Sequence, residues 1–385
     1  MSVTGPKGFR AAGVAAGIKA SGTLDLALVV NDGPAQTAAG VFTRNAVRAA
    51  PVLWSQEVLR HKRLRAVVLN SGGANAATGP GGFQDTHATA EKVAELLEVG
   101  AIDVAVCSTG LIGERLPMPA VLSGVDAAVK ALDTRDESAL AAATAVMTTD
   151  SRPKQTLQSH GGWSIGGFAK GAGMLAPNLA TMLSVLTTDA VVDPDALDAA
   201  LRAATRLTFD RLDVDGGTST NDTVLVLASG ASGITPSLDE FTDVLTAACL
   251  DLVQQLRADS EGVTKEVDVV VRGAASEQDA INVGRTVAED NLVKTALFGS
   301  DPNWGRVAMA VGRAQAEVDP DTLSITINGV TLFASGTTAE DRSAADLSGR
   351  AIEIVIDLGI GASEATIFTT DLSHAYVEEN SAYSS

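Results

Sequence analysis

Lys170-Gly-Ala-Gly-Met-Leu-Ala-Pro-Asn-Leu-Ala-Thr-Met-Leu-Ser-Val-Leu-Thr-Thr-Asp189 runs a glycine-rich turn into an apolar, threonine-rich stretch. Three readings compete for it. A dinucleotide fingerprint needs a third glycine that Gly171-Ala172-Gly173 lacks, and Pro177-Asn178 makes a helix opening there awkward. Propensity and glycine content alone favour a tight turn feeding a buried strand over 181–187. The third reading makes Thr181 a latent nucleophile. A threonine hydroxyl is weak at neutral pH, and a free amine on the same residue is one route to activating it. Cleavage of the Ala180–Thr181 bond provides that amine, which titrates near pH ~8 and so accepts the hydroxyl proton without a histidine.

Outward from this segment, the chain mixes strands and helices without strict βαβ alternation. Short apolar runs at 24–30, 66–70 and 104–108, bounded by Gly, Asn and Asp, predict buried strands. Helical periodicity covers 86–99, 119–132, 137–147, 194–207 and 237–257, with Pro194 where a first-turn proline is tolerated. Further strands are expected at 223–228, 267–272, 324–327 and 352–356, with a long amphipathic stretch at 276–297. This order predicts an α+β layered sandwich. A boundary near 273–276 divides a main domain, 1–273, from a smaller C-terminal α/β domain, 274–385.

Composition narrows the function. The 385 residues are 45% hydrophobic and carry a net charge of −19, which repels phosphate backbones and anionic membrane surfaces. Nucleic acid and membrane are therefore not expected partners, and a cytoplasmic protein is expected. Cys107 and Cys249 are too few for a disulfide framework. His61, His87, His160 and His374 lie in unrelated contexts, with neither a GxSxG elbow nor an HExxH helix. Asp213-Val-Asp215-Gly-Gly-Thr-Ser-Thr-Asn-Asp222 matches a calcium loop only at its first two acids, so a hydrogen-bonded turn is expected instead.

KGAGMLAPNLATML at 170–183 closely resembles the self-cleavage motif of the glutamate N-acetyltransferase family, also called ornithine acetyltransferases. Other blocks extend the resemblance in the family's order: PKGFRAAGVAAGIK at 6–19, FTRN at 42–45, NSGGANAATG at 70–79, STGLIGERLPM at 108–118 and MTTDSRPK at 147–154. STNDTV at 219–224, SEGVTK at 260–265, VKTALFGSDPNWGR at 293–306 and YVEENSAYSS at 376–385 complete it. Departures are mild: Ala172 and Leu179 stand where serine and methionine are common, Val263 where alanine is, and Glu379 where an apolar residue is frequent.

The resemblance implies an αββα-type sandwich like that of the ornithine acetyltransferases and DmpA. It implies cleavage between Ala180 and Thr181 into an α chain, 1–180, and a β chain, 181–385, assembled as α2β2. Thr181 would take acetyl from N2-acetyl-L-ornithine, release ornithine and pass acetyl to L-glutamate; some members also use acetyl-CoA. By position, Thr109 and Gly110 match the oxyanion donors, and Thr149, Lys170, Glu261, Asn380 and Ser385 match substrate-site positions. Glu261 is the match expected to meet the ornithine ammonium. No metal or redox cofactor is implied. Asn221, Asp222, Asp301, Asn303, Trp304 and Arg306 receive no catalytic role, and structural support is expected of them. An N-terminal-nucleophile amidohydrolase would share this machinery but let water resolve the acyl-enzyme. A non-enzymatic small-molecule-binding protein would remain uncleaved.

Overall fold

The computed structural model describes residues 2–175 and 182–382. Ala180, Thr181 and Ser385 lie outside the described residues. The chain forms two compact units, one of residues up to Asp210 with Gly217–Leu256, the other of Arg211–Gly216 with the chain from Arg257 onward. The division thus falls before Arg257 instead of near 273–276. The physical reason is strand pairing: Gly273 lies near the end of a strand, Glu266–Ala274, that is hydrogen-bonded on both sides within the second unit.

In the first unit, β1 (Phe9–Val14), β2 (Leu26–Asn31), β4 (Ala66–Asn70) and β5 (Val104–Ser108) form one sheet in the order β1-β2-β4-β5. A second sheet, in the order β3-β9-β8-β7-β6, contains β3 (Thr37–Phe42), β6 (Lys154–His160), β7 (Trp163–Lys170), β8 (Leu183–Thr188) and β9 (Thr223–Ala228). Alternation along β2 shows the layering. Leu26, Leu28 and Val30 pack with Val93 of α2 (Gly79–Leu97) and Val121 and Val125 of α3 (Met118–Ala131). Ala27 and Val29 instead face Phe168, Val185 and Leu225 of the second sheet. A strand covered on both faces reads as a continuous apolar run, which is why the 24–30, 66–70 and 104–108 segments were legible. Each such buried leucine or valine contributes roughly 1.5–3 kcal/mol.

The outer face of the second sheet is covered by α5 (Pro194–Leu207), which packs on β3, and by α6 (Leu238–Ala258), whose Phe241 stacks on Trp163 at 5.5 Å between ring centroids. The expected α+β layering is therefore present, as helices, sheet, sheet, helices. Asp193 caps α5 by accepting from Asp195 and Ala196 N–H, with Pro194 in the first turn. The β6–β7 hairpin escaped the periodicity reading because β6 is largely polar. Its sequence signal is Gly161-Gly162, both at positive φ (55° and 88°), between His160 and Trp163, which pair with each other. That hairpin delivers Lys170 at the end of β7.

In the second unit, β10 (Glu266–Ala274) pairs parallel with β14 (Ala351–Asp357) and antiparallel with β15 (Ser363–Thr370). β11 (Ser324–Ile327), β12 (Val330–Ala334) and β13 (Thr337–Thr338) extend the sheet beyond β14. The amphipathic stretch 276–297 is two helices, α7 (Glu277–Ala288) and α8 (Asn291–Phe298). Asp290 separates them because its side chain accepts from Leu292 and Val293 N–H and starts a new helix.

Candidate active site

Thr109 and Gly110 follow the end of β5 and are drawn against the loop after β4. Thr109 N–H donates to Asn70 O at 3.0 Å, and Thr109 O accepts from Gly73 N–H at 3.0 Å. Both backbone groups of Thr109 are thus occupied, which leaves its side-chain hydroxyl as the donor it can offer a ligand. Lys170 Nζ donates to Thr109 Oγ1 at 3.3 Å, so the hydroxyl accepts from a cation while its own proton stays free to point elsewhere. Gly110 N–H has no hydrogen-bond acceptor among the described residues. Gly110 sits at φ 129°, and a Cβ there would lie 2.7 Å from Gly73 N and 2.9 Å from Gly73 Cα, so only glycine fits.

Asn221 holds this turn together. Its Nδ2 donates to Ala74 O at 2.7 Å and Ser108 O at 2.8 Å, joining the loop after β4 to the residue before Thr109. Ser108 Oγ in turn donates to Asn70 Oδ1 at 2.5 Å, and Asn70 Nδ2 to Gly73 O at 3.1 Å. Structural support is what the resemblance left for Asn221, and the network shows its target to be the Thr109–Gly110 turn.

Lys170 is only 1% exposed and sits in a buried charge cluster. Asp150 Oδ1 accepts from Lys154 Nζ at 2.5 Å and from Gly171 N–H at 2.7 Å, and its Oδ2 accepts from Thr148 N–H at 3.0 Å. Thr149, half-buried, lies between these contacts. Burial opposes charge on Asp150, yet Lys170 and Lys154 hold its carboxyl below the usual carboxylate range. Burial pushes the Lys170 ammonium down, with Asp150 and Asp222 opposing that shift and Lys154 and Lys19 adding to it. Lys19, whose Nζ donates to Met147 O at 2.7 Å, is likewise lowered by burial. Asp150, Lys154 and Lys19 were not singled out by the sequence reading. The signal was present in Asp150 and Lys154 at i,i+4 within MTTDSRPK, but that spacing is common on solvated surfaces.

Asp222 is fully buried and accepts Met182 N–H on Oδ1 at 3.0 Å. Met182 is the residue after Thr181 in the sequence. Burial raises the Asp222 carboxyl well above the usual range, with the Met182 bond, Lys170 and Ser219 opposing.

In the second unit the structure brings Glu261 and Asn380 together: Asn380 Nδ2, on α10 (His374–Ala382), donates to Glu261 Oε2 at 2.8 Å. In the Asp213–Asp215 turn, Asp213 Oδ1 accepts Gly216 N–H at 3.2 Å. Burial and neighbouring Glu289 raise the Asp213 carboxyl well above the usual range, and among the described residues no group of three or more His, Cys, Asp or Glu is placed to hold a metal. In the DPNWGR block Asn303 caps α9 (Trp304–Gly312) by accepting Arg306 N–H at 3.2 Å, Trp304 stacks on Phe333 at 5.0 Å, and Arg306 donates to Leu292 O at 2.7 Å. These are structural contacts within the unit. Among the described residues no helix is long and apolar enough to cross a membrane.

Comparison with known proteins gives concordant findings. The ArgJ family pattern matches residues 10–385. The chain is 63% identical to the arginine biosynthesis bifunctional protein ArgJ of Mycolicibacterium paratuberculosis, over 100% of this chain and 96% of that protein. It is 58% identical to the protein of the same name from Streptomyces coelicolor, over 100% of both. A solved ornithine acetyltransferase from Mycobacterium tuberculosis, complexed with ornithine, is 65% identical over 46% of this chain and 94% of that chain, with a TM-score of 0.45. The chain belongs to the ArgJ family and is an acyltransferase of arginine biosynthesis.

Proposed function

We propose that the chain moves acetyl from N2-acetyl-L-ornithine to L-glutamate by a ping-pong exchange through an acetyl ester on Thr181. The observation that carries the reading is the Thr109–Gly110 turn. Each half-reaction passes through a tetrahedral oxyanion, and the turn offers it a hydroxyl and an N–H, held in place by Asn221 and with Lys170 on Thr109. A preorganised donor of this kind contributes about 3 kcal/mol to the barrier reduction.

The other roles follow from charge. The acetyl donor and the acceptor are both α-amino acids, so one cationic anchor serves both α-carboxylates. Lys170 is that anchor, with Lys154 and Lys19 the other cations that act on it. Thr149, next to Asp150 in the sequence, would add a substrate contact. Glu261, oriented by Asn380, would receive the ornithine ammonium, and Ser385 would complete the substrate contacts. Cleavage between Ala180 and Thr181 frees the α-amine that takes the Thr181 proton, giving chains 1–180 and 181–385 in an α2β2 assembly. Acetyl-CoA is a second acetyl donor, in keeping with the bifunctional name of the relatives.

Intact mass and N-terminal sequencing of the purified protein, with Thr181→Ala alongside, test the nucleophile. Two fragments, the second beginning Thr-Met-Leu-Ser, are expected only without the substitution. A single intact chain in folded wild-type protein rejects the mechanism. Product partitioning then separates exchange from hydrolysis: free acetate formed at the same rate with and without glutamate would make the enzyme an amidohydrolase.

A further inference from the structure

The mature nucleophile carries its own base, but the precursor does not. Before cleavage the Thr181 nitrogen is an amide, which takes no proton near neutral pH, so the first bond scission needs a different acceptor. Asp222 is hydrogen-bonded to Met182, the residue that follows Thr181 in the chain. β8 and β9 run parallel with Leu183 opposite Thr223, which brings the preceding residues, Met182 and Asp222, to the same sheet end. Asp222 Oδ1 holds Met182 N–H at 3.0 Å, while Oδ2 is buried without a hydrogen-bond partner among the described residues. Ser219 biases the same carboxyl without completing a bond to Oδ2. A buried carboxylate oxygen left unpaired is costly, so a protein that keeps one has a use for it. The nearby cation, Lys170, donates to Thr109 Oγ1 and makes no hydrogen bond to Oδ2.

We infer that Asp222 is the proton acceptor of self-cleavage, anchored one residue from the nucleophile through the Met182 amide. The inference rests on the reading of Thr181 as nucleophile. As the Thr181 Oγ1 forms a bond to the Ala180 carbonyl carbon, its proton passes to the Asp222 carboxylate. When the tetrahedral species collapses, the carbon–nitrogen bond breaks and the carboxyl returns the proton to the departing nitrogen, now the Thr181 α-amine. The resulting ester is hydrolysed by water, hydroxyl going to the Ala180 carbonyl and hydrogen to Oγ1, and Asp222 ends as the carboxylate it began as. Burial, which raises its proton affinity, favours the uptake of the Oγ1 proton.

The test follows full-length chains made in a cell-free pulse and sampled over time for the two fragments, comparing wild type, Asp222→Asn and Thr181→Ala. Asn keeps an acceptor for Met182 N–H but cannot take the proton. Cleavage slowed by roughly 100-fold or more in soluble, protease-resistant Asp222→Asn is expected, and a rate within about threefold of wild type overturns the inference. If Asp222→Asn does not fold, the wild-type cleavage rate against pH decides. A rise through one ionisation above the ordinary carboxylate range supports the role, and a flat profile rejects it. Uncleaved wild type, or cleaved Thr181→Ala, would instead bring down the nucleophile reading, and this inference with it.

Discussion

Thr109→Val isolates the oxyanion turn. Valine keeps the β-branched shape and replaces the hydroxyl by a methyl, so the end of β5 and the Thr109 N–H bond to Asn70 O remain. That N–H cannot substitute for the lost donor, because it is already committed at 3.0 Å. Removing one oxyanion donor costs about 3 kcal/mol of transition-state stabilisation, or roughly 100-fold in kcat. Both half-reactions pass through an oxyanion at the same turn, so the loss should appear with acetylornithine and with glutamate alike, with KM little changed. Lys170 also loses its Oγ1 partner at 3.3 Å, which should lower stability by about 1–3 kcal/mol. Intact mass comes first, since self-cleavage also forms a tetrahedral species, and turnover is then normalised to cleaved protein. Thr109→Ser retains the hydroxyl and should keep most of the activity. The reasoning is refuted if cleaved Thr109→Val turns over within about threefold of wild type, or if the serine variant is as impaired as the valine.

Glu261→Gln should raise the KM for acetylornithine far more than that for glutamate, and equal changes in steady-state assays would count against an ammonium contact. Lys154→Met leaves Asp150 buried without its lysine partner and should cost about 3–5 kcal/mol in denaturant unfolding, measured in a Thr181→Ala background so that one intact chain is compared; a loss below about 1 kcal/mol would show the pair to be dispensable. A carboxyl whose folded proton affinity is raised stabilises most at low pH, and that contribution is lost as pH rises through its folded value, so Thr181→Ala/Asp222→Asn should gain on Thr181→Ala in thermal melts as pH is raised from 4 to 8. A stability difference that does not change with pH would show that folding leaves the proton affinity of Asp222 unshifted.

The sequence by itself determined the family and most of the elements. The runs at 66–70, 104–108 and 223–228 coincide with β4, β5 and β9, because strands buried on both faces must be apolar throughout. Pro194 in the first turn marked the start of α5, and the periodic run to 207 its end. Polar or locally capped elements were less legible: β6 lacks an apolar run, and the break between α7 and α8 depends on one aspartate turning to its own backbone. The division at Leu256 was hidden because a glycine near the end of a strand resembles a linker.

The site divides in the same way. Motif position alone pointed to Thr109, Gly110 and Lys170, but only the tertiary structure decided which Thr109 group is available, since its backbone donor is taken by a residue from another strand. Likewise Asn221 and Asp222 are neighbours in one motif with no role readable from it. Folding gives them different partners, Asn221 the carbonyls of Ala74 and Ser108, Asp222 the amide of Met182. Hydrogen bonds between residues 40, 113 and 147 positions apart leave no local pattern in the chain, and burial, which shifts the proton affinities of Asp222 and Lys170, exists only once the sheets have closed over them.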